Sequence, residues 1–358
     1  FFGKEFVKKQ IDAIAHFKMN RLHLHLTDAA GWRIEIKKYP RLTDFAAWRK
    51  PGLWKDWWFG SRTYAEEGSP DAFGGYYTQQ ELRELVAYAA ERHIQIIPEI
   101  EMPAHSEEVL AAYPELSCTH EPYKHPDFCP GREETFTFLQ TVLDEVMDIF
   151  PSEYIHVGGD EAGKAAWKTC ARCQARMKRE GLQNVEELQS YLIRRMGAYL
   201  TSKGRRLLGW DEILQGGLAP GATVMSWRGI EGGLEAVKAG ESAVLTPGSH
   251  CYFDTYQDAP HTLPEAMGGY LPLEKVYSFE PIPDTLKADE AKRILGVQAN
   301  LWCEYVPTVE HAEMMIYPRL FALAEVAWTQ PEQKNWADFH RRALVWCAAF
   351  EEAGYHPF

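Results

Sequence analysis

Residues 155–162 read IHVGGDEA. A short apolar run ends in two glycines, and two carboxylates, Asp160 and Glu161, follow at adjacent positions. Like charges repel at that spacing, so the pair needs a reason. One reason is a strand end followed by an acidic helix start, where negative charge suits the helix dipole. Another is a catalytic pair in which one carboxylate keeps its proton. The eight residues do not choose between these readings, and the rest of the chain has to.

The same kind of run recurs. Stretches with β character are RLHLHLTD (21–28), IQIIPEIE (94–101), YIHVGGD (154–160), RLLGWDE (206–212), TVMSWRG (223–229), SAVLTPG (242–248) and LGVQANLW (295–302). Helical periodicity occupies 4–18, 78–92, 131–149, 184–203 and 309–326. Strands alternating with helices imply crossover connections and a parallel sheet. An eighth strand is expected just upstream of residue 1, because the chain opens in the helix that should follow it. The expected fold class is α/β, a (β/α)8 TIM barrel forming one domain over 1–358, truncated at its N-terminus. A doubly wound sheet is the alternative, but no GxGxxG or Walker glycine pattern opens a helix. Asp28, His105, Asp160, Glu161, Trp210, Asp211, Trp227, Trp302 and Glu304 all lie at or just past strand C-termini. That is the face on which barrel enzymes build their sites.

Composition narrows the function. A formal net charge of −13 over 358 residues argues against a nucleic-acid partner, which needs clustered Lys and Arg. No apolar stretch reaches the length of a membrane span. Aromatic residues reach 13%, and two long loops, 43–77 and 249–293, hold many of them. The tryptophans of 43–77 suit either a satellite core or a wall facing a substrate.

Seven cysteines stand at 118, 129, 170, 173, 251, 303 and 347. Cys170 and Cys173 form a CxxC with no second CxxC to complete a zinc ribbon. Cys118 and Cys129 bracket a polar loop that an oxidising compartment would allow to be bridged. Free or structural thiols are the expectation for all seven.

In HLHLTD, His23, His25 and Thr27 share one strand face. An HxH there suits two zinc ligands or two hydrogen-bonded core histidines, and the second is expected. PEIEMPAHS adds Glu99, Glu101 and His105. His105 suits a general base or a residue that holds a carboxylate in place. Trp210, Trp227 and Trp302 occupy equivalent places on three strands, where together they suit an apolar box. A carboxylate pair beside such a box points to carbohydrate.

These motifs resemble the catalytic domain of family 20 glycoside hydrolases, the β-N-acetylhexosaminidases. The resemblance runs from FFGKEFVKKQID through HLHLTDAAGWRIEIKKYP, PEIEMPAHS, HVGGDEA, GWDEIL, MSWRG, YFDTYQ and GVQANLWCEYV to RLFALAEVAWT. It implies an exo-acting, retaining enzyme on terminal β-linked N-acetylglucosamine or N-acetylgalactosamine, whose nucleophile is the substrate's own 2-acetamido oxygen. An oxazolinium intermediate follows. It further implies that Glu161 is the acid and base, and that Asp160 orients the acetamido N–H. Tyr252 would aim the acetamido carbonyl, with Trp210, Trp227 and Trp302 boxing its methyl. Asp254 and Glu304 would bind sugar hydroxyls, and Asp28 and His105 would stand behind the acid. Glu161 is then expected to have a raised pKa, pushed by the charge of its neighbour. No metal or organic cofactor is implied, and the partner is a glycan. A secreted, periplasmic or cell-surface location is the family-level expectation. The same motifs also fit a lacto-N-biosidase-like enzyme that releases a disaccharide, or an inactive carbohydrate-binding homologue.

Overall fold

All seven expected runs are strands in the computed structural model, which describes residues 1–358: Arg21–His25, Gln95–Met102, Tyr154–Gly158, Arg206–Trp210, Thr223–Ser226, Ser242–Leu245 and Ile294–Val297. By its internal packing the chain divides into two units. One comprises Phe1–His16 and Asn20–Val224, the other Phe17–Met19 and Met225–Phe358.

In the first unit, consecutive strands pair in parallel. Arg21–His25 pairs with Gln95–Met102, that strand with Tyr154–Gly158, and Tyr154–Gly158 with Arg206–Trp210. The registers set His25 opposite Glu99 and Glu99 opposite His156, so three polar side chains fall in one row across three strands. Helices make the crossovers. Gln79–Ala90 begins at a capping box, in which Thr78 accepts from the Glu81 amide and Glu81 reaches back to the Thr78 amide. It buries Leu82, Leu85 and Ala89 at helical spacing and packs on Gln95–Met102.

The 43–77 segment has its own architecture. Trp48–Lys50 pairs with Thr63–Tyr64 on one side and with Phe73–Gly74 on the other, both antiparallel. Trp57 and Tyr64 are buried there against Ala29, and Trp54 stacks on Trp58 at 5.2 Å. The satellite-core reading therefore holds for Trp57 and Tyr64. Phe59 stands out in solvent, 77% exposed.

In the second unit, Ser242–Leu245 pairs in parallel with Ile294–Val297, and Glu231–Lys238 packs on the former. The helix expected over 309–326 is two helices, Val309–Ile316 and Arg319–Trp328. The cause is Pro318, which has no N–H to give and drives Tyr317 to an extended conformation, φ −103° and ψ 138°. A C-terminal helix that the periodicity did not single out, Trp336–Glu352, starts at Asn335, whose side chain accepts from the Asp338 amide. Phe17, Phe321 and Phe350 pack together beside it. No helix in the chain is long and apolar enough to cross a membrane.

Candidate active site

Glu99 is the place to begin, because nothing of it is exposed and its charge has to be met from within. His25 Nδ1 lies 2.6 Å from its Oε2, and His23 Nε2 lies 3.0 Å from the same oxygen. Trp210 Nε1 donates to Oε1 at 2.8 Å, and His156 Nδ1 lies 2.9 Å from that atom. Four side chains from three neighbouring strands thus converge on one carboxylate. Burial opposes its charge, yet His156, His25 and His23 hold its pKa well below the ordinary carboxylate value.

From Glu99 the charges alternate outward. His25 turns its other nitrogen, Nε2, to Asp28 Oδ2 at 3.1 Å. Asp28 Oδ1 lies 3.3 Å from His105 Nδ1. His105 Nε2 then reaches both members of the carboxylate pair, 3.3 Å from Asp160 Oδ2 and 3.2 Å from Glu161 Oε2. Burial disfavours charge on these rings, but the acids around them win. His25 is pushed up to about 10 by Glu99 and Asp28. His105 is raised far above the ordinary imidazole value by Asp28, Asp160 and Glu161. Asp28, half-buried, is held below the carboxylate range by His105 and His25. Both nitrogens of His25 thus face carboxylates.

The turn that presents the pair depends on its glycines. Gly158 and Gly159 have φ of +68° and +98°, in the left-handed region. A Cβ on Gly158 would lie 1.8 Å from Glu101 Oε2. Two of the non-glycine residues at positive φ belong to this site, Glu161 at +50° and His105 at +51°. Such conformations cost free energy and cluster at functional sites. Asp160 is mostly covered and Glu161 largely open, at 15% and 57% side-chain exposure. One oxygen of Asp160, Oδ1, is buried and accepts no hydrogen bond from the protein.

The expectation of a raised pKa for Glu161 is overturned. Contact with His105 is the largest influence and lowers it, outweighing burial and the Asp28 charge. The group that burial does keep protonated is Glu101, raised well above the carboxylate range, with Asp160 and Glu99 adding to the effect.

The second unit organises its own set. Trp227 stacks on Tyr252, rings 6.0 Å apart and 13° from parallel, and Trp302 lies 6.1 Å from Tyr252 on a tilted plane. Tyr252 and Asn300 form a parallel bridge, with Phe253 N–H donating to Asn300 O at 2.8 Å. Arg319, fully buried, spends its guanidinium on the backbone beneath, donating to the carbonyls of Phe253, Thr255, Leu271 and Met315. Asp254 is buried, its Oδ1 accepts no hydrogen bond, and its pKa is pushed up to about 6 by that burial. Glu304 is half-buried. Trp210 is in the first unit and only 2% exposed, a buried donor to Glu99 more than an open wall.

The family model for the glycosyl hydrolase family 20 catalytic domain matches residues 1–331. The chain belongs to that family. It is 46% identical to a beta-hexosaminidase of Porphyromonas gingivalis, over 99% of this chain and 45% of that protein. It is 40% identical to a beta-hexosaminidase of Vibrio furnissii, over 90% of this chain and 54% of that one. It therefore spans about half the length of these curated relatives. Among solved structures, a family 20 exo-β-N-acetylglucosaminidase of Vibrio harveyi in complex with N-acetylglucosamine superposes with a TM-score of 0.88 at 33% identity. That match covers 100% of this chain and 57% of the other. The likeness carries the (β/α)8 barrel fold expected from the alternating strands and helices.

Sequence reasoning about this family 20 domain left three contributors unassigned. Glu99 and Glu101 were visible only as inward residues of one strand, with no sign that they take opposite charge states. Arg319 lies in a helix whose sequence, RLFALAEVAW, otherwise reads as apolar. A lone Arg on such a face was the available signal.

Two predictions follow from the charge chain and the turn. His25 stabilises the fold fully below its ordinary pKa of 6.5, and that contribution is lost as pH rises through about 10. Asp28 and Glu99, both lowered, stabilise above about pH 4 and lose their effect as pH falls. Thermal melts should therefore show Tm highest at mildly acid pH and falling by roughly 5–10 °C toward pH 10. A flat Tm across the alkaline range would disprove the assignment of His25. The Gly158→Ala substitution should cost about 2–3 kcal/mol in urea unfolding, since the methyl meets Glu101 and φ is strained.

Proposed function

We propose that this catalytic domain removes terminal β-linked N-acetylglucosamine or N-acetylgalactosamine from glycan ends, with retention and through the substrate's own acetamido group. The observation that carries the reading is Asp160 itself. It is a mostly buried carboxylate with one oxygen held near His105 and the other, Oδ1, without a donor. A sugar N–H is the donor it lacks. Such a bond fixes the acetamido group and balances the positive charge that grows on it.

In the proposed step the acetamido carbonyl oxygen attacks C1 and the glycosidic C–O bond breaks. The leaving oxygen takes the proton of Glu161. The oxazolinium that results is opened when water adds at C1 and returns a proton to Glu161. Adjacent carboxylates suffice because they serve adjacent parts of one sugar, whereas a direct nucleophile would have to stand across the ring from the acid. Tyr252 is assigned to the acetamido carbonyl, and Trp227 and Trp302 to its methyl and the sugar face; Trp210, assigned to the same box by the resemblance, is a buried donor to Glu99 instead. Asp254 and Glu304 are assigned to hydroxyls. For Asp254 the support is its unbonded buried Oδ1.

The test compares an aryl N-acetyl-β-glucosaminide with the plain aryl β-glucoside. Only the acetamido substrate should be cleaved, and equal cleavage of both would sink the mechanism. Asp160→Asn should lower kcat by about 10²–10³ whatever the leaving group. Glu161→Gln should cost about 10²–10⁴ with a poor leaving group and much less with an activated aryl one, which departs without a proton.

His105 supplies a second test. Its charge lowers Glu161, so in the free enzyme the acid loses its proton early and kcat/KM declines as pH rises. Replacing His105 with Asn removes that charge and lets the pKa rise. The alkaline limb of the kcat/KM profile should move upward, while kcat falls. An unmoved limb would show that His105 does not set the ionisation of Glu161.

A further inference from the structure

We propose that Cys118, Cys129, Cys170 and Cys173 form a tetrahedral four-thiolate site for zinc, independent of the hydrolytic reading. The sulfurs of Cys118 and Cys173 lie 3.7 Å apart, those of Cys129 and Cys173 3.6 Å, and those of Cys129 and Cys170 3.9 Å. All four sulfurs fall within 4.8 Å of one another. A zinc ion bonded to four thiolates at about 2.3 Å sets its sulfurs on the corners of a tetrahedron with edges of about 3.8 Å. Disulfides would instead sort the four into two pairs at about 2.05 Å. Here Cys129 and Cys173 each have two sulfur neighbours at tetrahedral spacing, which is a quartet and not two pairs.

The chain brings them together by two different means. Cys170 caps the helix Ala171–Glu180 and Cys173 stands in its first turn, so the CxxC supplies two ligands from one helix start. The other two close a loop, because Cys129 N–H donates to Leu116 O at 2.9 Å beside Cys118. Glycine permits the halves to meet. A Cβ on Gly131 would lie 2.4 Å from the Arg172 carbonyl carbon and 2.5 Å from the Cys173 nitrogen. The Gly131 amide also donates to Cys129.

The surroundings suit the charge and the ion's entry. Zinc with four thiolates carries a net charge of −2. Arg132 and Arg172 both reach His120 next to the cluster, and Arg132 is buried. Behind the sulfurs lie Trp167, Met177 and Leu188, which keep water from that side. A cavity of about 590 Å³ lined by Cys118, Cys170, His120 and His125 opens the other side to solvent. Four protein ligands leave no open position, so the site is structural and not catalytic.

Its position gives it a task. The loop ending at Cys129 is tied to the flanks of His105, with Ser106 N–H donating to Pro126 O and Phe128 N–H to Pro103 O. Asp127 accepts from the Lys164 amide at 2.8 Å, just past Glu161. Zinc would clamp together the two segments that carry His105 and the Asp160–Glu161 pair.

The test is metal analysis of the whole chain purified from zinc-supplemented medium, with Cys118→Ser, Cys173→Ser and, as a control, Cys347→Ser. Wild type and the control should hold about one zinc per chain, and the two site variants less than about a tenth of that. Should those variants fail to fold, thiol alkylation of the native wild-type chain decides. All four cysteines should resist alkylation until a strong chelator strips the metal, then react. Replacement by Co²⁺ should give thiolate-to-cobalt charge transfer and intense tetrahedral d–d bands. Stoichiometric iron, two disulfides in the native protein, or alkylation indifferent to chelator would each overturn the proposal.

Discussion

The first unit depends on one buried carboxylate. Taking Glu99 out of water costs several kcal/mol, and that cost is met only because four side chains from neighbouring strands converge on its two oxygens. His23 and His25 come from the strand before it, His156 from the strand after, and Trp210 from the next. Each such contact fixes a register as well as a charge, since a one-residue slip would turn the partner to the opposite face. The row of His25, Glu99 and His156 is thus a pairing device and an electrostatic one together. Losing Glu99 would remove the shared partner of His23, His25, His156 and Trp210.

From that carboxylate, His25, Asp28 and His105 pass alternating charge to Asp160 and Glu161. The arrangement explains why two acids can stand side by side at a strand end. Repulsion between them is relieved by one imidazolium that touches both. It also sets the resting state of Glu161, which the cation holds ionised more strongly than burial opposes. In a glycosidase reading, substrate has to change that balance for the acid to carry its proton. Positive φ at Glu161 and His105 places both ends of this contact in strained backbone. Stability is given up where the chemistry is proposed.

The second unit solves a similar problem with a cation. Arg319 is buried with no acid in hydrogen-bond contact and is satisfied by backbone carbonyls alone. Two of these, of Phe253 and Thr255, belong to the segment that displays Tyr252 and Asp254, and the guanidinium ties that segment to Leu271 and to Met315. In the first unit the proposed zinc site would play the corresponding part, joining the loop that ends at Cys129 to the helix start at Cys170.

The sequence by itself determined the alternating strands and helices, the parallel sheet and the polar strand ends. All of these are local patterns, written in the spacing of apolar residues. It also determined the Asp160–Glu161 pair and its two glycines, because adjacency needs no fold to be seen. The break at Pro318 was missed, because apolar spacing carried one helix through 309–326 where the structure has two. The charge states were not legible. Glu99 and Glu101 sit two residues apart on the same strand face, yet one is ionised among histidines and the other is kept protonated by burial and by neighbouring acids. Nor were the partners of the CxxC, which lie 41 residues and more upstream in a loop with no motif. Ionisation and ligation depend on what stands within a few ångströms, and for these groups only the tertiary structure brings those neighbours in.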